Sequence, residues 1–273
     1  GGANTDWTTF DLTTLETTLK GASVLLLQQE IPEKINLAAA KAGKAQGVLV
    51  IQDVGGEDRP ISSDLLAVIN FLCPNEGELQ RLTGMPTSTR DEVLAAAKTL
   101  VEKGPSVLVT LGERGAMLVT TAETIEVDPF PVPRVVDGTA AGDAFRAALA
   151  VALAEKQTLR EALRLASAAG ALAVSRQGAE PSLPWRKDCA ALLSGASVAS
   201  VMATEAEVFS SNQGSCKRSK DLAFASRLNS MKERLDLWDG PIDTLGLIAR
   251  QGQVQGLGMV YLNFPQHLEG RNA

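Results

Sequence analysis

Short apolar runs alternate with helical segments along most of this chain, and this alternation constrains the fold more than any other feature. Four runs are typical of buried strands: residues 23–28, 47–51, 67–73 and 106–111. Alanine-rich or amphipathic segments between and after them indicate helices at residues 33–44, 75–82, 89–103, 140–156 and 159–175. Such alternation predicts an α/β fold with a mostly parallel sheet flanked by helices on both faces.

Local signals fix several of these boundaries. Asn75 is a typical N-cap and Gly84 a typical helix stop, so the pair predicts a short helix between them. Thr158 caps the helix that begins at residue 159. A further strand is predicted at residues 254–263, and helices or connectors at residues 224–234 and 241–252.

Residues 135–145, Val-Val-Asp-Gly-Thr-Ala-Ala-Gly-Asp-Ala-Phe, are an extended lead-in, a turn of small residues and the start of a helix. Small side chains at Ala140, Ala141 and Gly142 leave backbone N–H groups uncovered at the positive end of the helix dipole, which favours anions. Asp143 follows in the first turn. An anion hole beside one carboxylate suits phosphoryl transfer, in which the carboxylate accepts the proton of an attacking hydroxyl. Asp143 is alternatively a structural aspartate that complements the dipole.

Composition excludes several classes of function. The chain has 273 residues and a net charge of −6, which argues against a nucleic-acid surface. Its three cysteines are far apart and show no zinc or disulfide spacing. No apolar stretch reaches membrane length, and Gly1 opens no signal-peptide pattern, so we expect a cytoplasmic protein that binds neither membrane nor nucleic acid.

Five segments, in order, resemble motifs of the ribokinase-like (PfkB) family of sugar kinases. Residues 137–143 are similar to its Asp-Thr-x-(Gly/Ala)-Ala-Gly-Asp motif, residues 75–78 to its Asn-x-x-Glu motif, and residues 110–115 to its nucleotide loop. Residues 176–185 resemble the segment that closes its monovalent-cation site, and residues 26–32 the strand that delivers a sugar-contacting glutamate. The resemblance extends from residue 1 to about residue 196.

The resemblance implies a three-layer ribokinase-like fold and ATP-dependent phosphorylation of D-ribose at the 5-hydroxyl, giving ribose 5-phosphate. It makes Asp143 the general base and implies ATP, Mg²⁺ and K⁺ as cofactors, with a small sugar and ATP as partners. Other sugar or nucleoside kinases are less favoured, because residues 137–143 and 176–185 match ribose kinases best.

The same resemblance implies a role for each matched residue. Those expected to bind ATP are Asn75, Thr110, Leu111, Gly112, Glu113, Arg114, Gly115, Gly142, Asp143 and Ser167. Glu30 and Asp143 are expected to contact the sugar. Backbone-rich ligation of the monovalent cation is expected from Asp137, Thr139, Ala173, Arg176, Gly178 and Ser182, and a water-mediated magnesium contact from Glu78. The alternatives are an ordinary turn aspartate at Asp137, a strand-end glutamate at Glu30, and an N-cap with a solvated glutamate at Asn75 and Glu78.

One departure from the family is large. Its members carry about a hundred residues, with the first strands, most sugar contacts and a β-sheet lid, before the point that matches Gly2-Ala3-Asn4. On this comparison the lid and first strands are missing. We therefore expect the chain alone to bind ATP weakly and phosphorylate ribose poorly or not at all, and homodimers only in a version with the lid.

Three domains are predicted: a kinase domain at residues 1–196, a linker at 197–223 and a tail at 224–273. The tail weakly resembles the start of a sugar-phosphate isomerase/epimerase barrel. Two alternatives to an active kinase therefore stay open: a nucleotide-binding remnant without kinase activity, and a fragment of a fused kinase–isomerase. His267, the one histidine, lies in this tail and has no role assigned.

Overall fold

The computed structural model describes residues 12–203, together with the backbone of residues 248–249 and 259–261. The chain divides into two compact units, residues 1–126 with 240–273, and residues 127–239. The predicted elements at 224–234 and most of 241–252, and His267, lie outside the described residues.

The first unit contains most of the sheet. Its elements are α1 (Leu12–Leu19), β1 (Val24–Gln29), α2 (Glu33–Ala45), β2 (Leu49–Gly56), α3 (Ser63–Leu66), β3 (Phe71–Cys73), α4 (Glu76–Thr83), α5 (Arg90–Val101), β4 (Ser106–Thr110), β5 (Ala116–Val119), β6 (Thr124–Val127), β7 (Ile248–Ala249) and β8 (Met259–Tyr261). A single 3₁₀ turn, Gly112–Arg114, links β4 to β5.

The strands form one sheet in the order β6-β5-β4-β3-β2-β1-β8-β7. The neighbours β1, β2, β3 and β4 are parallel, whereas β5 runs antiparallel to β4. On its other side β1 pairs in parallel with β8, where Val24 is opposite Met259. The strand predicted at residues 254–263 is therefore present at Met259–Tyr261, the part that the structure describes.

Both faces of the sheet are buried, as parallel sheets require. On one face Leu25, Val50 and Val107 pack in a single core with residues of α1, α2 and α5, among them Leu15, Leu19, Ala39, Ala40, Val93, Ala97 and Leu100. Alternate residues of the same strands point the other way. Of these, Ile51 and Leu108 are also fully buried.

Capping fixes where three helices begin. Asn75, Thr89 and Thr158 each accept a hydrogen bond from the N–H three residues on, and Glu78, Glu92 and Glu161 reciprocate. Gly84 ends α4 in the left-handed conformation, with φ of 70°. The predicted cap at Asn75 and stop at Gly84 are confirmed.

The strand predicted at residues 67–73 is largely wrong. Only Phe71–Cys73 is a strand, because Ser62 caps the short helix α3 and the chain turns through residues 67–70 before it enters the sheet. Sequence analysis also missed α1, β5, β6 and the helix at Arg186–Leu193.

The second unit is helical where the structure describes it. It contains α6 (Ala141–Ala154), α7 (Leu159–Ala173), a 3₁₀ turn at Glu180–Ser182 and α8 (Arg186–Leu193). Helices α6 and α7 pack together, as do α7 and α8. Gly170 lies beside the Ala141 carbonyl and Phe145, so small residues allow α6 and α7 to approach closely. Residues 198–203 are again helical.

These elements confirm the predicted fold class, an α/β fold with a mostly parallel sheet flanked by helices. In the part of the chain that the structure describes, no helix is both long and apolar enough to cross a membrane.

Asn70 links three strands and supplies a test of this sheet. Its Oδ1 accepts the N–H of the buried Val50 at 2.8 Å, and its carbonyl accepts the N–H of Ser106 at 2.9 Å. We expect Asn70→Ala to lower the free energy of unfolding by about 1–3 kcal/mol, because the Val50 N–H loses its acceptor. Asn70→Asp keeps an acceptor oxygen and should lose less. Urea unfolding measures both; equal losses would contradict the role of Oδ1.

Candidate active site

The carboxyl ends of the parallel strands place several predicted site residues along one edge of the sheet. Glu30 follows β1, Asn75 follows β3 and Leu111 follows β4. The last two ends are joined directly, because the Thr110 N–H donates to the Pro74 carbonyl at 3.1 Å and Asn75 forms a parallel bridge with Thr110. Ligands of open α/β sheets bind at this edge.

Asn75 and Glu78 are linked by two hydrogen bonds. The Asn75 N–H donates to Glu78 Oε2 at 2.8 Å, and the Glu78 N–H donates to Asn75 Oδ1 at 2.9 Å. Both side chains therefore cap α4, as the structural alternative held. Each keeps polar atoms for a ligand, the Asn75 amide nitrogen and Glu78 Oε1, so the capping role and a ligand-binding role are compatible.

The loop at residues 110–115 is a tight turn built on two glycines. Gly112 and Gly115 have φ of 55° and 88°, which favour glycine, and the Leu111 N–H closes the turn on the Gly115 carbonyl at 2.8 Å. No atom lies within 4 Å of where a Gly112 side chain would begin. The backbone is thus open to close approach by a ligand.

Arg114 anchors this loop to Glu76 and Ser88. Its guanidinium pairs with the Glu76 carboxylate and donates to the Ser88 carbonyl at 3.0 Å. The Arg114 carbonyl accepts from Arg90 at 3.1 Å. Because the Arg114 side chain is already bonded to Glu76 and Ser88, the groups that this loop can offer a ligand are mainly backbone atoms.

The start of α6 has the geometry predicted for an anion hole. Ala140 is left-handed, with φ of 62°, and no side chain caps the helix. The Ala141 N–H turns back to the Gly138 carbonyl at 3.3 Å, and the Ala144 N–H begins the helical ladder on Ala140. The N–H groups of Gly142 and Asp143 have no acceptor among the described residues. Of the three amides predicted to be uncovered, those of Ala140 and Gly142 have no acceptor among the described residues, whereas that of Ala141 is used locally. The uncovered Asp143 N–H was not predicted.

Asp143 lies beside Arg146, a residue that sequence analysis did not single out. The two side chains approach to 3.3 Å, and the Asp143 side chain is 54% exposed. A side chain at Gly142 would begin 2.9 Å from the Arg146 guanidinium. A larger residue at this position would push the flexible end of the Arg146 side chain away from the first turn.

Asp137 joins the two segments predicted to surround a monovalent cation. Its carboxylate accepts the Thr139 N–H, the Gly178 N–H and Gln177 Nε2, each at 2.9 Å. Hydrogen bonds from the Thr139 side chain, the Thr139 N–H and the Gly178 N–H lower the pKa of the Asp137 carboxyl. Gly178 adopts φ of 85°. Gln177 is a site residue that sequence analysis missed.

The other residues predicted for the cation lie on the same segment. The Arg176 N–H donates to the Ala173 carbonyl at 3.1 Å, and the Arg176 guanidinium donates to the Ser182 carbonyl at 3.2 Å. Each carbonyl oxygen retains a second lone pair. Arg176 therefore bonds to both carbonyls, while Asp137 contacts the same segment through Gln177 and Gly178.

The remaining candidates are buried. Ser167 lies inside α7, only 9% exposed. Cys73 and Cys189 are buried free thiols, and burial followed by the nearby Asp188 raises the pKa of Cys189 to about 12. Within the described ranges no three His, Cys, Asp or Glu side chains cluster as metal ligands.

The family comparison agrees with this geometry. The model of the pfkB family of carbohydrate kinases matches residues 2–186. The chain belongs to this family.

Curated members of the pfkB family match in the same region. A ribokinase of Arabidopsis thaliana is 48% identical over 64% of the chain and 47% of its own length. A deoxyribokinase of Salmonella typhi is 33% identical over 67% of the chain and 60% of its own length. A bifunctional ribokinase/ribose-5-phosphate isomerase A of Fructilactobacillus sanfranciscensis is 34% identical over 68% of the chain and 35% of its own length. The chain thus spans about one third to three fifths of these relatives.

Solved pfkB-family structures match at the level of the fold. Ribokinase of Arabidopsis thaliana, complexed with ribose and ATP, has a TM-score of 0.67 and 44% identity over 71% of the chain and 63% of that structure. Phosphofructokinase-2 of Escherichia coli, in complex with potassium, has a TM-score of 0.57 and 28% identity over 70% of the chain and 62% of that structure. The resemblance to this family of sugar kinases is confirmed.

The Asp137 contacts predict a pH-dependent stability. Because hydrogen bonds lower its pKa in the folded state, ionised Asp137 stabilises the fold above the unfolded pKa of about 3.9, and this contribution is lost as the pH falls through the folded value. We expect Asp137→Ala to lower the Tm at pH 7 and the difference from the parent to shrink below about pH 4. The matched control is Asp128→Ala at an exposed aspartate. A Tm difference that stays constant with pH would contradict the role of the carboxylate.

Proposed function

We propose that this chain carries the nucleotide site and the catalytic base of an ATP-dependent D-ribose kinase. The product is ribose 5-phosphate. The observation that carries the proposal is the start of α6, where two uncovered backbone N–H groups and the exposed Asp143 carboxylate lie within one turn. Family membership makes phosphoryl transfer to a sugar hydroxyl the reaction that this geometry serves.

In the proposed step, Asp143 accepts the proton of the ribose 5-hydroxyl as the oxygen attacks the γ-phosphorus of ATP. The hydroxyl is a very weak acid, so the proton leaves late, in the transition state. The Gly142 and Asp143 N–H groups stabilise the negative charge on the transferring phosphoryl oxygens, aided by the helix dipole. The β–γ bridging bond breaks and ADP leaves.

The nucleotide is assigned to the sheet edge. Residues 110–115 offer open backbone at Gly112, and the bridge between Thr110 and Asn75 fixes the Asn75 side chain beside that loop. Asn75 and residues 110–115 are proposed to bind ATP at this edge, whereas Ser167 is buried inside α7 and is not assigned to it. Glu78 would contact Mg²⁺ through water, where the ion neutralises phosphate charge.

Potassium is proposed for the loops that Asp137 joins. Thr139, Ala173, Arg176, Gly178 and Ser182 would supply mainly backbone carbonyls, and Asp137 the charge. Asp137, Thr139 and Gly178 already fix the lead-in to α6 against the segment after α7. A cation there would further order the backbone that forms the anion hole.

Ribose is favoured over other sugars by the 48% identity to a ribokinase and by the matched Glu30. The deoxyribokinase relative makes 2-deoxyribose the sharpest competitor for the assay. The alternative function, a nucleotide-binding remnant, predicts ATP binding without sugar phosphorylation. A fused kinase–isomerase predicts additional isomerase activity when flanking gene sequence is included.

The base is tested by Asp143→Asn, which keeps the size of the side chain and removes its basicity. In a catalytically competent version of the chain, extended by flanking gene sequence, we expect kcat for transfer of ³²P from ATP to ribose to fall about 10²–10⁴-fold. ATP affinity should be nearly unchanged, since removing a general base usually costs about that much in rate alone. Asp128→Asn is the control at an exposed aspartate. Activity of Asp143→Asn within a few-fold of the parent would exclude Asp143 as the base.

The same assay separates the alternatives when it is run on the 273 residues and on the chain extended by flanking gene sequence. Ribose 5-phosphate formation by either supports the kinase. Binding of ATP with no product from either supports the remnant. Faster transfer to 2-deoxyribose than to ribose would move the substrate assignment to deoxyribose.

A further inference from the structure

The end of β2 and the loop that follows it, residues 56–59, contact the peptide groups on both sides of Glu30. Glu30 itself is exposed at the carboxyl end of β1. The residues before and after it, Gln29 and Ile31, are hydrogen-bonded to Arg59, which lies about thirty residues away in the sequence. None of these contacts was visible in the sequence as a motif.

Gly56 forms the first contact. It has φ of 118°, and a side chain there would begin 2.6 Å from the Gln29 carbonyl carbon and 2.7 Å from the Glu30 nitrogen. The Glu57 N–H donates to the Gln29 carbonyl at 3.1 Å. The loop backbone thus lies directly against the peptide bond that joins Gln29 to Glu30.

Arg59 forms the second contact, on the other side of Glu30. Its guanidinium donates to the Ile31 carbonyl, and its own carbonyl accepts Gln29 Nε2 at 3.2 Å. Only 20% of the Arg59 side chain is exposed, and Glu57 pairs with it at 2.9 Å. One residue therefore bonds to the residue before Glu30 and to the residue after it.

Further hydrogen bonds fix the ends of this segment. Asn36, on α2, donates to the Gln28 carbonyl at 2.6 Å. The Ser62 N–H donates to Glu33 Oε1 at 2.9 Å. Because the backbone on both sides of Glu30 is held while its side chain is exposed, the arrangement fixes where and in which direction this side chain leaves the strand.

We infer that Arg59 is a positioning residue for sugar recognition: it holds the Gln29–Ile31 backbone so that the Glu30 carboxylate meets the sugar hydroxyls in a fixed orientation. The inference rests on the proposed function, since it takes Glu30 as a sugar contact. Arg59 acts through Glu30 and makes no contact with the reacting atoms.

The chain offers a matched control for a test. Arg81, on α4, pairs with Asp58 of the same loop at 2.7 Å, and none of its hydrogen bonds or ion pairs goes to residues 29–31. Arg59→Met and Arg81→Met each remove one arginine that contacts residues 56–59, but only Arg59→Met releases the Ile31 carbonyl. Arg59→Lys keeps a cation with N–H donors and serves as the conservative variant.

The first measurement is ribose binding, by titration followed with NMR of ¹³C-labelled ribose, alongside ATP binding by calorimetry. We expect Arg59→Met to raise the ribose Kd about ten- to a hundredfold, the effect of losing a charge-assisted hydrogen bond. The ATP Kd should be unchanged, Arg59→Lys should recover most of the affinity, and Arg81→Met should match the parent. Equal losses for both sugar and nucleotide, or equal effects of Arg59→Met and Arg81→Met, would overturn the inference.

The second measurement is hydrogen exchange at residues 29–31, which needs no ligand. Arg59→Met should speed exchange there relative to both the parent and Arg81→Met. If exchange is unchanged, Arg59 does not hold this backbone and the inference is wrong. The binding measurement is made on the chain extended by flanking gene sequence. An extended parent that binds no ribose overturns the proposed function instead, and with it the role of Arg59 in sugar recognition, whatever the exchange shows.

Discussion

Parallel hydrogen bonding among β1, β2, β3 and β4 is the constraint on which the sheet-edge site depends. Parallel strands end on the same edge, so four connections that are distant in sequence come to lie along one line. Glu30, residues 56–59, Asn75 and Gly112 are all placed in this way. The strands determine where these residues lie. The loops contribute the exposed groups, which are open glycine backbone at Gly112 and the exposed Glu30 side chain on a held backbone.

In the second unit, the Asp137 carboxylate connects two segments that are far apart in the sequence. Asp137 joins Thr139 to Gly178, 41 residues beyond Asp137 in sequence, and so ties the lead-in of α6 to the segment after α7. The helix start that follows contains Gly142 and Asp143. An anion hole must be preorganised to stabilise charge, and hydrogen bonds from outside the helix provide that order. Structural and proposed catalytic roles thus meet in one short segment.

Sequence patterns predicted those helices and strands whose positions depend mainly on neighbouring residues. The helix starts at Asn75 and Thr158 follow from capping chemistry, and most strands from apolar runs. Residues 67–70 were mistaken for strand because a buried turn is as apolar as a strand. The contacts of Arg59 and Gln177 were not predicted, because their partners are distant in the sequence. The contact of Arg146 was not predicted, because this residue lies just beyond the motif at residues 137–143.

One titration tests most directly whether the start of α6 is the anion hole of a kinase. In ¹⁵N-labelled protein, ATP should shift the backbone amides of Gly142 and Asp143, whereas those of Ala150 and Ala152, further along the same helix, should not move. Unshifted amides at Gly142 and Asp143, or equal shifts along the whole helix, would contradict the proposed anion hole and the kinase mechanism built on it.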